Sequence, residues 1–271
     1  MSSNPQTPEL SDFFFELSNQ DRLDIMKLID KRPLKLSHIS KELDLPMQEI
    51  SRQLNRLMKV KLVTKNIEGS YTDTLFGKNM LELLPCYQFL SEHIDYFNKH
   101  TLVTLPRRLS SRIGELRKCS PVTSILVSFA NIEKMVQEAE EYVFHMADQR
   151  LMSSQAYFLV NDALDRGVEM KGIEPLGYSA PFEVYGKIPK TVTTSIAEHR
   201  VNGVKMDKVL PTIELSIFMS EKEVALLAFP SIIGKFEYNG FTSNDEDFRE
   251  WCFDVHQYYW NQAKVRTDYD D

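Results

Sequence analysis

Residues 47–59 read MQEISRQLNRLMK and carry the most informative pattern in the chain. Ile50, Leu54 and Leu57, followed by Met58, recur at the three- and four-residue spacing of one apolar helix face. The opposite face is polar, and its members are Gln48, Ser51, Arg52, Asn55, Arg56 and Lys59. Arginine can donate two hydrogen bonds to guanine, and glutamine or asparagine can pair with adenine. This face therefore has the chemistry to read bases, and an ordinary solvated helix face is the alternative interpretation.

A shorter helix precedes this segment across a tight turn. Residues 23–29 carry the apolar spacing of an amphipathic helix, which Pro33 ends. Ser37 is expected to cap a second, short helix, and residues 44–46 (Asp-Leu-Pro) are expected to form the turn. Two short helices joined in this way are typical of a helix-turn-helix, whose second helix enters the major groove of DNA.

A predicted β-hairpin follows the two helices. Residues 62–66 and 71–73 read as strands, residues 67–70 (IEGS) as the turn, and Thr74 as the cap of a further helix. A hairpin directly after a helix-turn-helix is a wing, which commonly touches phosphates or the minor groove. The predicted DNA contacts are Ser37, Gln48, Ser51, Arg52, Gln53, Asn55, Arg56, Lys59, Lys65, Ser70 and Tyr71.

Four motifs in this order resemble the winged-helix domain of ArsR-type regulators. They are NQDRLDIMKLI at 19–29, ISRQLNRL at 50–57, KLV at 61–63 and YTDTLFG at 71–77. The resemblance covers roughly residues 10–80 and implies double-stranded DNA as a partner. Lys61 stands where the family usually has glycine, and a lysine adopts a left-handed backbone only at some cost. The cysteine pairs of metal-sensing members are absent, so neither metal sensing nor another cofactor is implied.

The charge of the chain is unevenly distributed. The 271 residues have a formal net charge of −7, yet residues 20–70 hold 11 basic and 7 acidic side chains, which is +4. The remainder therefore carries −11. A basic region on an acidic body favours nucleic acid as the partner of that region.

Composition also bears on location. No apolar run approaches the roughly 18 residues that span a bilayer, and the first residues lack the pattern of a signal peptide. Cys86, Cys119 and Cys252 are far apart, and the six histidines are scattered. This usage suits a reducing cytoplasm, and it predicts neither a disulfide framework, nor a metal site, nor contact with a membrane.

An apolar helical stripe follows the wing. Residues 75–84 continue as a helix to Pro85, beyond which helical spacing resumes. The stripe consists of Cys86, Phe89, Leu90, His93, Ile94 and Phe97. A stripe this apolar must be buried, either on the rest of its own chain or against a second subunit. The resemblance to winged-helix regulators favours the second, so Phe89, Leu90, His93, Ile94 and Phe97 are the predicted contacts of a homodimer that faces a two-fold DNA site.

After this stripe, short apolar runs of β type alternate with helical stretches. Strands are expected at 124–130, 168–173, 203–208, 213–219, 223–229 and 235–241. Helices are expected at 132–142, 155–164 and 245–263. This alternation predicts an α/β layer fold, with some antiparallel pairs among the late strands.

The chain as a whole is expected to be α+β with three parts. These are a winged helix-turn-helix at 1–75, a helical dimerisation linker at 76–120 and an α/β sensor domain at 121–271. The basic segment 101–121 is the expected boundary.

The last part resembles the effector domain of archaeal winged-helix regulators of the TrmB and methanogenesis-regulator-like groups, which look like phospholipase D halves. The pieces that carry this resemblance are ALDRGVEMKGI at 163–173, NGV at 202–204 and IFMS at 217–220. The phospholipase D motif His-x-Lys is absent, because none of the six histidines has a lysine two residues later. P-loop, Gly-x-Ser-x-Gly and Gly-x-Gly-x-x-Gly motifs are absent too, so a sensor without catalytic residues is expected.

A ligand pocket is the favoured role for this domain. The candidate contacts are His145, Glu174, Tyr178, Tyr185, His199 and Arg200. Together these patterns predict a dimeric archaeal-type transcription regulator that a small molecule or a protein modulates. A winged-helix interaction module without base readout and a degenerate phosphodiesterase-like enzyme remain as alternatives.

Overall fold

The computed structural model describes residues 8–102, 104–148, 154–177, 188–233 and 236–267. The chain forms two compact units, residues 1–85 and residues 86–271. The sequence suggested the basic segment 101–121 as the boundary, whereas the observed boundary lies upstream of that segment, after Pro85. The reason is burial, because Leu105, Leu109 and Leu116 of that segment lie inside the core of the second unit.

The first unit is a winged helix-turn-helix. Its elements are α1 (Leu10–Leu17), α2 (Gln20–Lys31), β1 (Leu34–Lys35), α3 (Leu36–Leu43), α4 (Met47–Lys59), β2 (Val63–Lys65), β3 (Ser70–Asp73) and the first part of α5 (Leu75–Glu92). The strands form an antiparallel sheet in the order β1-β3-β2. Helix α4 begins and ends at the predicted residues. Its predicted apolar face is confirmed as well, since Ile50, Leu54 and Leu57 are fully buried in the core of this unit.

The short helix α3 differs from its prediction at its start. It begins at Leu36, so Ser37 lies in the first turn and is not the capping residue. At the other end, Asp44 adopts a left-handed conformation with a φ of 52°. The Ser40 hydroxyl then donates to the carbonyl oxygen of Leu45 at 2.6 Å. Local bonds of this kind fix the turn between the two helices.

The junction between α4 and the wing depends on backbone geometry. Lys61 has a φ of 62°, so it adopts the left-handed backbone that a lysine takes only at some cost. Thr74 caps α5 as predicted, because its hydroxyl accepts from the Gly77 N–H at 2.9 Å and donates to the Lys61 carbonyl at 2.7 Å. A Cβ atom at Gly77 would lie 2.1 Å from the Leu62 carbonyl oxygen, so this approach requires glycine.

Helix α5 continues through Pro85 to Glu92, which corrects the expectation that the proline ends it. A proline within a helix removes one hydrogen bond and crowds the preceding turn. Burial on both sides of the proline offsets this cost. Leu81 and Leu84 pack against the core of the first unit, and Phe89 is fully buried in the second.

The second unit is an α/β structure. Its elements are α6 (Ile94–Phe97), α7 (Arg107–Ser110), a 3-10 helix (Ile113–Arg117), β4 (Ser120–Val122), α8 (Ile125–Glu138), β5 (Tyr142–Met146), α9 (Ser154–Asp165), β6 (Glu169–Pro175), α10 (Lys190–Val201), β7 (Lys205–Leu210), β8 (Ser216–Ser220), β9 (Val224–Ala228), β10 (Gly240–Ser243), α11 (Glu246–Trp260) and β11 (Lys264–Val265). The eight strands are ordered β11-β7-β6-β5-β8-β9-β10-β4. Strands β5, β6 and β7 are parallel, and the late strands β8, β9 and β10 are antiparallel as predicted.

Apolar cores lie on both faces of this sheet. On one face, Phe144 and Ile173 pack in a core with the fully buried Trp251 of α11. On the other, Val143 and Met170 pack in a core with side chains of α8, α9 and α10. Val143 and Phe144 are neighbours in β5 and point to opposite faces of the sheet, as the two-residue period of a strand requires.

Two predicted strands differ in the structure. Of residues 124–130, Ser124 precedes α8 and the rest form its beginning, because Ile132 and Met135 continue the apolar run at helical spacing into the core. A short apolar run does not by itself distinguish a strand from a buried helix. The strand expected at 235–241 is displaced, since β10 spans Gly240–Ser243.

Within the described ranges, no helix is long and apolar enough to cross a membrane. The same residues hold no group of three or more His, Cys, Asp and Glu side chains placed to bind a metal ion. Cys86, Cys119 and Cys252 are free thiols, and burial raises the pKa of Cys252 well above its usual value.

Asp73 of β3 is a buried carboxylate in the first unit. Neither of its oxygens has a hydrogen-bond donor among the residues that the structure describes. Burial, together with the nearby Asp30 carboxylate, raises the pKa of Asp73 to about 7, and Lys78 opposes this only partly. The group therefore opposes folding when it is ionised.

Replacing Asp73 with asparagine is expected to reduce the pH dependence of stability. The pKa of Asp73 is about 7 in the folded chain against 3.8 for a free aspartate, so the folded state keeps a proton that the unfolded state releases. The contribution of Asp73 to the free energy of unfolding is therefore most favourable below about pH 4 and falls as the pH rises towards 7. We expect Asp73 to cost about 1–3 kcal/mol between about pH 5 and about pH 8, and Asp73→Asn to remove that loss.

Urea unfolding of both proteins at the two pH values measures this effect. An equal pH dependence in wild type and Asp73→Asn would contradict it.

Candidate nucleic-acid interface and a cavity in the second unit

Polar side chains of α4 form one exposed line. They are Gln48, Arg52, Asn55 and Lys59. Their spacing of four, three and four residues places them along a single helix face. Ser51 beside this line is partly exposed, and Ser37 of α3 is exposed. The line presents amide, guanidinium and ammonium groups, which are donors suited to base edges and phosphates.

Gln53 lies on the buried side of α4, which corrects its place among the predicted DNA contacts. Its side chain is 1% exposed. The amide oxygen accepts from Nη1 of Arg22 at 2.9 Å, and the amide nitrogen donates to Glu49. A base edge therefore has no access to Gln53 in this fold.

Glu16 of α1 is a buried carboxylate that two arginines hold. Arg56 donates to it twice, from Nε at 2.9 Å and from Nη2 at 2.8 Å. Nε of Arg22 lies 3.1 Å from the same carboxylate and also donates to the Glu16 carbonyl oxygen at 2.6 Å. Burial lowers the pKa of Arg22, while the bonded Glu16 raises the pKa of Arg56. The carboxylate thereby joins α1, α2 and α4.

The two arginines of α4 consequently have different surroundings. The Arg56 guanidinium bonds Glu16 and lies 5.3 Å from the ring centre of Phe15, and its side chain is 37% exposed. The Arg52 side chain is 64% exposed and bonds Glu49 of its own helix at 3.0 and 2.7 Å. An exposed ion pair of this kind adds little stability, so Arg52 can exchange Glu49 for another acceptor.

The tip of the wing is a tight turn. The side-chain oxygen of Asn66 accepts from the N–H groups of Glu68 and Ser70 at 3.1 and 2.8 Å, and Gly69 has a φ of 84°. Ile67 at the tip is fully exposed. The sequence-based set, which selected polar side chains, missed it, although an isoleucine within a four-residue hairpin turn was a visible signal.

The wing strands present one lysine to solvent. Lys65 is exposed, and its Nζ lies 5.2 Å from the ring centre of Tyr71. Tyr71 is buried in the core of the first unit, which corrects its place among the predicted contacts. Ser70, half-buried beside it, keeps its place as a predicted contact.

The stripe expected to bind a second subunit is packed inside the second unit. Phe89 is fully buried, and its ring lies 5.5 Å from that of Phe97 and 5.0 Å from that of His93. Burial lowers the pKa of His93. Leu90 packs against the same core, whereas Ile94 is exposed. The prediction that this stripe forms the dimer contact is therefore wrong for Phe89, and its neighbours are largely used within one chain.

A different apolar surface is exposed in the first unit. Its members on α1 and the first part of α5, here named the α1/α5 surface, are Leu10, Phe14, Phe15, Leu75, Phe76 and Leu83. The rings of Phe13 and Phe76 lie 4.9 Å apart and connect the two helices. No sequence-based prediction covered this surface, because α1 lies upstream of the quoted motifs and the motif at 71–77 indicated only the entry to the next helix.

The second unit contains a cavity of about 80 Å³ between one sheet face and helices α8, α9 and α10. Three of the predicted ligand contacts line it, namely His145, Glu174 and Arg200. They come from β5, β6 and α10, so only the folded sheet brings them together. Tyr157 of α9, which is not among the predicted ligand contacts, lines the cavity as well.

The other predicted ligand contacts do not line this cavity. The imidazole Nε2 of His199 lies 2.8 Å from a carboxylate oxygen of Asp165 instead. Tyr178 and Tyr185 lie outside the described residues.

Strand register creates a polar floor beneath the cavity. His145, Gly172 and Asp207 are aligned across β5, β6 and β7. A Cβ atom at Gly172 would lie 2.5 Å from His145 Cε1 and 2.8 Å from an Asp207 oxygen, so the missing side chain makes room for both groups. The His145 ring stacks on Phe218 with the ring centres 5.8 Å apart.

Carboxylates and cations alternate on this floor. Asp207 is buried, and it accepts from Arg200 Nε at 3.0 Å and from the Lys205 ammonium. Burial opposes the ionisation of Asp207, but Lys205 and Arg200 hold its pKa at about 2. Glu174 bonds the buried Arg266. Each of these two buried carboxylates therefore has at least one cationic partner.

Comparison with known proteins identifies one segment at the level of a family. Residues 19–65 match the family described as bacterial regulatory protein, arsR family. This match covers α2 to β2 and confirms the resemblance of the first unit. A comparison with curated proteins found no match.

Solved structures resemble longer parts of the chain. TrmBL2, described as an archaeal chromatin protein with a novel mode of DNA binding, matches 97% of this chain and 100% of its own at 15% identity and a TM-score of 0.42. Nuc, a phospholipase D family member from Salmonella typhimurium, matches 51% of this chain and 90% of its own at 12% identity and a TM-score of 0.35. The methyltransferase SibL matches 73% of this chain and 62% of its own at 12% identity and a TM-score of 0.28.

Alanine at the two arginines of α4 is expected to separate their roles. Arg56→Ala removes a two-bond partner from the buried Glu16 and should lower the urea midpoint of unfolding. Arg52→Ala removes an exposed pair on one helix and should leave the midpoint unchanged. Circular dichroism of both variants across a urea series tests this, and equal midpoints for the two variants would contradict it.

Proposed function

We propose that this chain is a dimeric, sequence-specific DNA-binding regulator of transcription that acts in the cytoplasm and is modulated through its second unit. The observation that carries the proposal is the exposed line of Gln48, Arg52, Asn55 and Lys59 on the second helix of the helix-turn-helix. A helix in this position lies in the major groove, where these side-chain types pair with base edges.

The contacts divide by chemistry. Arg52 and Asn55 near the middle of the line are the proposed base readers, with Gln48 at the start of the helix. Lys59 at the end of α4 and Lys65 of the wing are ammonium groups, which suit phosphates. Arg56 is proposed to hold α4 in place and not to contact DNA. If it turned away towards DNA, the buried Glu16 would have one fewer partner.

A second copy of this chain is the proposed occupant of the α1/α5 surface. Contiguous exposed apolar patches on soluble proteins mark interaction sites, and these aromatic side chains suit an interface core. The surface belongs to the same unit as α4, so a two-fold axis through it generates a second recognition helix. This contact replaces the stripe around Phe89, which is buried within one chain.

The proposal assigns no catalytic step to the second unit. None of the six histidines stands in a His-x-Lys motif. The cavity above the polar floor is the proposed place where a ligand modulates DNA binding.

Substitutions in α4 and the wing are expected to affect DNA binding differently. Arg52→Ala should weaken binding to the promoter DNA of its own gene roughly 5- to 150-fold and relax sequence preference, because a bidentate contact to a base is lost. Lys65→Ala should weaken binding to all sequences alike and lower the salt slope by about one, because a phosphate contact is lost. Fluorescence anisotropy across a salt series, with promoter and random duplexes, measures both effects.

Lys190→Ala is the matched control, since this exposed lysine lies in the second unit. It should change neither affinity nor slope. Absence of binding to promoter DNA at about 50 mM salt would refute DNA binding. If Arg52→Ala lowered the affinity for promoter and random DNA equally, Arg52 would not read a base. The alternative of an interaction module without base readout would then be favoured.

Charge on the α1/α5 surface is expected to dissociate the dimer. Leu83→Glu places a carboxylate in the proposed apolar contact, and the position is exposed enough for the fold to accept it. Leu126→Glu, at an exposed leucine of α8 in the second unit, is the control. Sedimentation velocity should report a monomer for Leu83→Glu and a dimer for wild type and control. A monomeric wild type, or an unchanged dimer in Leu83→Glu, contradicts the proposed contact.

A further inference from the structure

Glu49 is a carboxylate in the first turn of α4, next to the proposed base readers. It lies three residues before Arg52 and four before Gln53, so both side chains are within its reach one helical turn later. On a helix that enters the major groove, a carboxylate is repelled by the phosphates and weakens binding to every sequence. A gain in affinity for DNA therefore does not account for Glu49.

The carboxylate of Glu49 holds one edge of the Arg52 guanidinium. Nε of Arg52 donates to Oε2 at 3.0 Å, and Nη2 donates to Oε1 at 2.7 Å. These side-chain bonds lower the pKa of Glu49, so its carboxylate stays ionised at neutral pH. Two parallel bonds fix the plane of a guanidinium as well as its position.

Glu49 has a further donor that connects it to the interior of the first unit. The amide nitrogen of Gln53 donates to Oε1 of Glu49, and the amide oxygen of Gln53 accepts from Arg22 at 2.9 Å. Arg22 is buried and contacts both the carboxylate and the carbonyl oxygen of Glu16. Because this chain of contacts begins in the core, groups inside the fold restrain the carboxylate that holds Arg52.

The other edge of the Arg52 guanidinium is available to a base. The two bonds to Glu49 use Nε and one N–H of Nη2, and Nη1 has no hydrogen-bond acceptor among the residues that the structure describes. Nη1 and Nη2 can therefore donate side by side, which matches the O6 and N7 acceptors of guanine. Adenine has an amino donor beside N7, so one of these N–H groups would meet a donor instead.

Arg52 can consequently read guanine without leaving Glu49. The low stability of an exposed ion pair allows Arg52 to leave, but a guanine contact does not require it. A side chain that is already ordered loses less rotamer freedom when it binds. An unrestrained arginine would also reach phosphates, which carry no sequence information. The pair therefore favours discrimination between bases over affinity.

We propose that Glu49 is a positioning residue that holds Arg52 for guanine, and that the DNA bound by this chain has a guanine where Arg52 meets it. The inference rests on the proposed function, because it takes DNA as the partner of α4. The restrained guanidinium is a property of the protein without DNA, so the two can be tested apart.

The first experiment measures the restraint on Arg52 without DNA. Nitrogen-edited NMR of the isotope-labelled chain follows exchange of the Arg52 Nε–H with water, and the signal is assigned by its absence in Arg52→Ala. A hydrogen bond protects an N–H from exchange. The Arg52 Nε–H should therefore exchange more slowly in wild type than in Glu49→Ala, which lacks the acceptor. Equal exchange in the two proteins would overturn the positioning role of Glu49.

The second experiment measures base preference. The chain selects duplexes from a randomised library, and the selected DNA is sequenced. Wild type should prefer guanine over adenine roughly 5- to 150-fold at one position, and Arg52→Ala should lose that preference. Glu49→Ala should lower it roughly 2- to 13-fold, which is the effect of immobilising one long side chain. Its affinity for random duplexes should not fall, because a carboxylate has been removed. A merely structural role of Glu49 would instead lower the affinity for all duplexes.

Glu42→Ala is the matched control for the change of charge. Glu42 is an exposed carboxylate of α3 that pairs with Arg32 at 3.5 Å, so its loss should leave the guanine preference intact. Another base at the position that depends on Arg52, or a full guanine preference in Glu49→Ala, would overturn the inference and leave the regulator standing. A wild type that binds no duplex would refute the regulator and the guanine contact together.

Discussion

Both units are organised around carboxylates that are removed from water and therefore need cationic partners. An isolated charge in an apolar interior costs several kcal/mol or more, so the partner must be supplied by whichever element lies nearest. In the first unit, Arg56 of α4 is a cationic partner of Glu16 of α1. In the second unit, Arg200 of α10 and Lys205 of β7 are cationic partners of Asp207. Because each pair joins different elements, charge pairing acts together with apolar packing to place α4 on its unit and α10 on its sheet.

The same requirement divides the charge of the recognition helix into two classes. Arg56 is committed to a buried acid, whereas Arg52 is paired with the more accessible Glu49 and can release it. The net charge of +4 over residues 20–70 therefore overstates the positive charge that a partner meets. The other exposed cations of this range are Lys27, Lys31, Arg32, Lys35, Lys41 and Lys61, so the line on α4 and Lys65 of the wing carry only part of the accessible positive charge. This distribution suits a partner that meets directed contacts from α4 and a wider positive surface around them.

How far the sequence alone could predict this structure depended on how local the deciding interaction was. Helix α4 was predicted to the residue because apolar period, turn and proline agree within a short segment. Gln53 was misassigned because its partner, Arg22, lies 31 residues away and no periodic pattern records that pairing. Residues 124–130 were misassigned because an apolar run fits both helix and strand. His145 and Glu174 were selected by residue type, but strand register brings them together, and single-sequence reasoning does not give register between distant strands.

The polar floor and the cavity above it each cost the second unit stability, and both lie at the same place in its fold. Charges removed from water stabilise a fold less than apolar side chains in the same space do, and a cavity lacks the dispersion contacts of a filled core. A ligand that occupies the cavity binds the folded state and not the unfolded chain, so it raises the free energy of unfolding. Ligand occupancy is then linked to the stability of the layer formed by α8, α9 and α10 on the sheet. A ligand in this cavity therefore acts on the helices that cover the sheet, which is the physical basis of the proposed modulation.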